Sequence, residues 1–85
     1  MRIYMQTQYQ PEQPLRFYQL HLQPDLLGGW TLVRESGLQG ARGQVTKEYF
    51  TRREEAEQML IRRRDMQLKR GYRVVYREGI LKEAE

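Results

Sequence analysis

The fold turns on one stretch, Leu32-Val33-Arg34-Glu35-Ser36-Gly37-Leu38-Gln39-Gly40, followed at once by Ala41-Arg42-Gly43-Gln44. Trp30 and Leu32 alternate in phase ahead of it, so Trp30 to Glu35 reads as a strand with both on one face. Gly37, Gly40 and Gly43 then recur at a spacing that a regular strand does not use. Glycine supplies a positive φ or a close backbone approach, which predicts a shaped turn here. Extended structure resumes from Gln44 to Phe50. Two strands joined by a built turn are therefore the centre of the plan.

Upstream, Ile3 and Met5, with Tyr9 as a further candidate, alternate with Tyr4 and Gln6 as the start of a strand. Gln10-Pro11-Glu12-Gln13-Pro14 breaks that pattern as a polar loop. From Arg16 to Gln23, Tyr18, Leu20 and Leu22 alternate with Gln19 and His21, a half-buried strand. Pro24-Asp25 and Gly28-Gly29 bracket the connection that follows. Downstream, Thr51 with Glu54 three residues on predicts a capping box and a helix from about Arg52 to Arg70, closed by Gly71. Ala56, Met59, Leu60 and Met66 mark its apolar stripe. Acids come early (Glu54, Glu55, Glu57) and bases late, the order the helix dipole favours. Arg63 falls on the apolar side, so its stem is expected to run along the sheet edge. Tyr72 to Arg77 is a last extended segment. The expected class is α+β, a small antiparallel sheet packed against one long C-terminal helix. Residues 1–79 are expected to form one domain and residues 80–85 a loose tail.

Bulk properties narrow the chemistry. The chain has 85 residues and nine aromatics, six of them tyrosine; a domain this small buries only about 60% of its unfolded surface. With no cysteine and one histidine, His21, disulfides, thiolate nucleophiles and multi-histidine metal sites are out of reach. No metal or cofactor is expected. No run approaches the roughly 20 apolar residues of a membrane span, and the N-terminus lacks a signal-peptide core, so a cytoplasmic location away from membranes is expected. The formal charge of +4 favours anionic partners such as nucleic acid.

The ordered motifs resemble the WGR domain family over roughly Arg16 to Tyr72. Phe17-Tyr18-Gln19-Leu20 is similar to that family's opening aromatic strand, and Leu27-Gly28-Gly29-Trp30-Thr31-Leu32-Val33-Arg34 to its Gly-Trp-x-Leu-x-Arg strand. Gly43-Gln44, Phe50 with Glu54-Glu55-Ala56, and Gly71-Tyr72 resemble the later elements in the right order. The name-giving Trp-Gly-Arg is replaced by Ser36-Gly37-Leu38. The resemblance is to the small, stand-alone bacterial members. In poly(ADP-ribose) polymerases such a domain binds DNA beside a break and helps relay that contact to the catalytic domain. There the signature Trp packs against sugar near the strand end, and the signature Arg supports the same contact. Ser36 has no ring to stack, a contact worth about 1–3 kcal/mol in single-strand binders, and Leu38 brings no charge.

The resemblance and the charge together imply a non-enzymatic module that binds nucleic acid (DNA) weakly through a basic surface. Arg34, Arg42, Lys47 and Arg73 are the expected phosphate contacts, with Gly37 and Gly40 admitting the backbone. The alternative is a protein-interaction or self-association module that uses the turn around Leu38. Arg62, Arg63 and Arg64 point about 100° apart in succession, so the basic run there reads as a solvated helix face. Trp30 is expected in the core instead of on a stacking platform. Ser36 as a nucleophile would need His21 as its base, and no motif joins them.

Overall fold

The computed structural model describes residues 1–79; the expected tail, residues 80–85, lies outside the described residues. The chain runs β1 (Arg2–Thr7), β2 (Arg16–Pro24), β3 (Trp30–Leu38), β4 (Gln44–Phe50), α1 (Arg53–Lys69) and β5 (Tyr72–Glu78). All five strands join one sheet in the order β4-β3-β2-β1-β5, and every pairing is antiparallel. The α+β class is as expected, with one correction. The helix is not C-terminal: β5 follows it and returns beside β1, so the first and last strands are neighbours.

Alternation in the strands sets the two faces. Ile3 and Met5 pair in register with Leu20 and Tyr18, and Leu22 with Leu32. These side chains, with Ala56 and Leu60 from α1, are the buried core, flanked by Met1, Trp30, Phe50, Met59 and Tyr72. Full burial of each such aliphatic side chain is worth about 1.5–3 kcal/mol. Trp30 thus packs as expected, and its ring also carries the Arg53 guanidinium 5.0 Å from its centroid. Tyr9 lies beyond the end of β1 and is exposed, because the strand stops at Thr7. In the β2–β3 loop both Leu27 N and Gly29 N donate to Asp25 Oδ1 at 2.8 Å.

The helix departs from expectation at two points. Thr51 is not its cap. Arg52 holds that position in extended backbone with no side-chain cap, so Thr51 lies one residue too far out to reach the first free amides. Glu54 and Glu55 still occupy the first turn, where the dipole favours them. Met66 is 50% exposed while Gln67 is buried at 7%. Met66 sits roughly 100° round the helix from the line of Ala56, Leu60 and Gln67, so the sheet never covers it. Gly71, with φ +94°, closes the helix as expected.

Candidate nucleic-acid interface

The signature stretch is mostly strand. β3 continues through Ser36 and Gly37 to Leu38, so the shaped turn begins three residues later than its glycine spacing suggests. Register shows why the first glycine is nonetheless required. Gly37 pairs with Phe17 on the face away from the helix, and a Cβ there would lie 3.1 Å from Gly43 Cα. A Cβ on Gly43 would lie 2.7 Å from Phe17 Cζ and 2.8 Å from Glu35 Cγ. Only Gly40, with φ +84°, uses the left-handed region, and nothing crowds it. Gly37 and Gly43 are close-packing residues; Gly40 makes the turn.

Hydrogen bonds fasten the turn to the rest of the sheet. Gln39 N donates to Leu15 O at 2.8 Å, and Ala41 N to Leu38 O at 3.1 Å. Gln39 Oε1 accepts from Tyr4 OH at 2.9 Å and Gln6 Nε2 at 3.1 Å. Tyr4 in turn stacks on Phe17, 6.0 Å between centroids and 9° between planes. The two replaced side chains lie apart from this packing. Ser36 is in register with Tyr18 and Gln44, and Leu38 with Arg16, so both project to the helix side of the sheet. The retained glycine and the lost Trp and Arg positions thus serve opposite faces.

The structure separates the expected phosphate contacts. Arg34 is in register with Leu20 and Thr46 on the helix side, and its Nε lies 3.4 Å from Glu48 Oε1. Arg63 meets the same carboxylate bidentately, Nε to Oε1 at 3.2 Å and Nη2 to Oε2 at 3.1 Å. Arg63 thus reaches the edge strand β4 through its guanidinium, and Arg34 is committed to a shared, half-buried ion pair. Lys47 is exposed on the opposite face, opposite Val33. Arg73 is on that same face, opposite Gln6, but four strand spacings away, about 19 Å. Arg42 is exposed in the turn itself.

Topology gathers a different set. The end of β1, the start of β2, the β3–β4 turn, the end of α1 and the start of β5 all lie at one end of the sheet. Arg16, Arg42, Lys69, Arg70 and Arg73 are exposed there, and none has an ion pair among the described residues. The carboxylates near this end are Glu12 in the β1–β2 loop, Glu35 beside Gly43, and Asp65, which is paired with Arg64 at 2.9 Å. Arg16, Lys69 and Arg70 were outside the expected site. Their common location depends on β5 returning beside β1, which no local pattern announces.

His21 stands on the face away from the helix, in register with Arg2 and Val33. Burial, then the nearby Arg2 charge and the terminal ammonium, hold its pKa below the usual value. Ser36 projects from the other side of the sheet, so the two cannot act on one atom.

A family model for the WGR domain matches residues 1–79. The chain belongs to the WGR family. Domains of this family are nucleic-acid-binding modules in general. No curated protein and no solved structure matches the chain. No helix among the described residues is long and apolar enough to cross a membrane.

Proposed function

We propose that this WGR domain is a non-enzymatic module that binds DNA weakly and without base preference, through the basic end of its sheet. The observation that carries the reading is the placement of Arg16, Arg42, Lys69, Arg70 and Arg73 along one end of the sheet, the end that also holds the signature turn, with few carboxylates among them. Phosphate contacts supply affinity and position without reading sequence. With Ser36 in the Trp position, no ring stacks from the turn, which accounts for weak binding. Arg34 contributes little, since it is half-buried on the helix side of the sheet and engaged by Glu48. The separation of Ser36 from His21 supports a non-catalytic role.

The test is binding of single-stranded and nicked duplex DNA across a salt series. Five cations on a single strand predict a slope of log K against log salt of about −3.5, from roughly 0.7 per phosphate neutralised. Arg42→Glu should weaken binding about tenfold at low salt. Absence of salt-dependent binding to either DNA would end the reading. The alternative, docking through Leu38, has less behind it. Leu38 is 40% exposed between Arg16 and Gln39, a single apolar residue of a kind common on protein surfaces.

A further inference from the structure

A cleft of about 470 Å³ opens at the basic end, lined by Thr7, Gln8, Gln10, Gln13, Arg16 and Arg70 with Pro14 and Gly71. It lies between the β1–β2 loop and the α1–β5 junction, on the β5 side of the sheet, whereas the signature turn joins β3 and β4. Its volume falls within the range of about 300–1,000 Å³ usual for small-ligand sites, but its walls do not suit an apolar ligand. Two arginines and three glutamines line it, and among the described residues no acidic and no aromatic residue does. Each guanidinium offers five N–H donors and matches a phosphate in fork geometry.

Details of the walls favour an anion. Thr7 Oγ1 accepts from Arg16 N at 3.0 Å, which fixes the hydroxyl oxygen and leaves its hydrogen to donate. The helix C-terminus, ordinarily hostile to anions, is partly closed off: Arg70 N donates to Gln67 O at 3.0 Å and Gly71 N to Leu68 O at 3.2 Å. Gly71 has φ +94° and no neighbour where a Cβ would stand, so a ligand can approach the backbone. Glu12, the nearest loop carboxylate in sequence, lines an adjoining groove that shares Gln10 and Gln13 with the cleft, and it is not among the residues lining the cleft itself.

We propose that this cleft holds a backbone phosphate of an unpaired nucleic-acid strand, with Arg16 and Arg70 as its ligands and the glutamine amides on the adjoining sugar. With no ring to stack on, the cleft recognises the phosphodiester and not the base. An unpaired strand can fold its flexible backbone into the cleft, whereas a stiff duplex presents its phosphates only from its outer surface, so the site favours unpaired over paired strands. The proposal rests on the nucleic-acid reading above and adds to it a second contact, remote from the signature turn.

The experiment is amide-resolved NMR of the whole chain, titrated separately with a single-stranded thymidine oligonucleotide and with inorganic phosphate. It is paired with binding of the double variant Arg16→Gln/Arg70→Gln. The oligonucleotide should shift Thr7, Gln8, Gln13, Arg16 and Gly71. The variant should lose about tenfold in single-strand affinity, and its salt slope should be shallower by about 1.4. Both arginines are exposed, so an unchanged melting curve confirms that the variant is folded. Shifts confined to residues 39–43 would overturn the cleft and leave the nucleic-acid reading standing. Phosphate shifts without oligonucleotide shifts would make it a small-anion site and overturn both. Equal affinity of the variant and the parent chain would also overturn the proposal.

Discussion

The two ends of this sheet carry similar numbers of arginines and treat them differently. At the β2–β3 end, Arg52 and Arg53 meet Glu54 and Glu57 at 3.8 and 2.6 Å, while Arg2 is in strand register with Glu78 but makes no ion pair with it. At the other end, Arg16, Arg42, Lys69, Arg70 and Arg73 have no such partners among the described residues. The contrast teaches that the modest net charge understates the local field. Chain topology, not composition, concentrates it along the end of the sheet that holds the signature turn. A surface of one sign steers an anionic partner, while a neutralised one does not.

The largest expected effect comes from attacking the packing that supports the basic end. Gly43→Ala drives a Cβ into Phe17 and Glu35, and overpacking of this kind costs about 1–3 kcal/mol. Denaturant unfolding should show a lower midpoint, with the loss shared by nucleic-acid affinity as the turn shifts. A midpoint equal to the parent's would mean that the turn is not braced this way. Next is Glu48→Gln, which leaves the half-buried Arg34 and Arg63 facing each other without an anion. A loss of about 1–2 kcal/mol is expected, with DNA binding unchanged, because neither arginine belongs to the basic end.

These two predictions also mark how far the sequence can be read. Gly37, Gly40 and Gly43 show as special from their spacing alone, but spacing does not tell a left-handed turn from a close approach. The strand register does, by setting Gly37 and Gly43 against Phe17. Arg63's place on the apolar side of the helix is visible on a helical wheel, whereas its carboxylate partner on β4 is not. The alternation of Tyr18, Leu20 and Leu22 gives the core face of β2 directly. Arg16 and Arg70 are 54 positions apart in the chain, and only the pairing of β5 with β1 brings them to one cleft.

A smaller effect tests the replaced signature. Leu38→Asp should leave both the particle size by light scattering and the melting temperature within error of the parent chain, since the residue is exposed at the end of its strand. A change in oligomeric state would favour the docking alternative. The smallest concerns His21, toward the paired end. Its pKa is lower folded than unfolded, so the unfolded chain takes up the proton first. Stability should be level above about pH 6.5, fall as pH drops through the folded value, then level again. His21→Gln should remove that step; an unaltered profile would assign it to other groups.

The most direct test of the central claim exchanges charge at the two ends equally. Arg42→Glu/Arg73→Glu and Arg52→Glu/Arg77→Glu lower the net charge by the same amount, the first at the basic end and the second at the paired end. Affinity for single-stranded DNA at low salt should fall more than tenfold in the first variant and stay within about twofold in the second. Equal losses would show that net charge alone governs binding and would contradict an interface built at one end of the sheet.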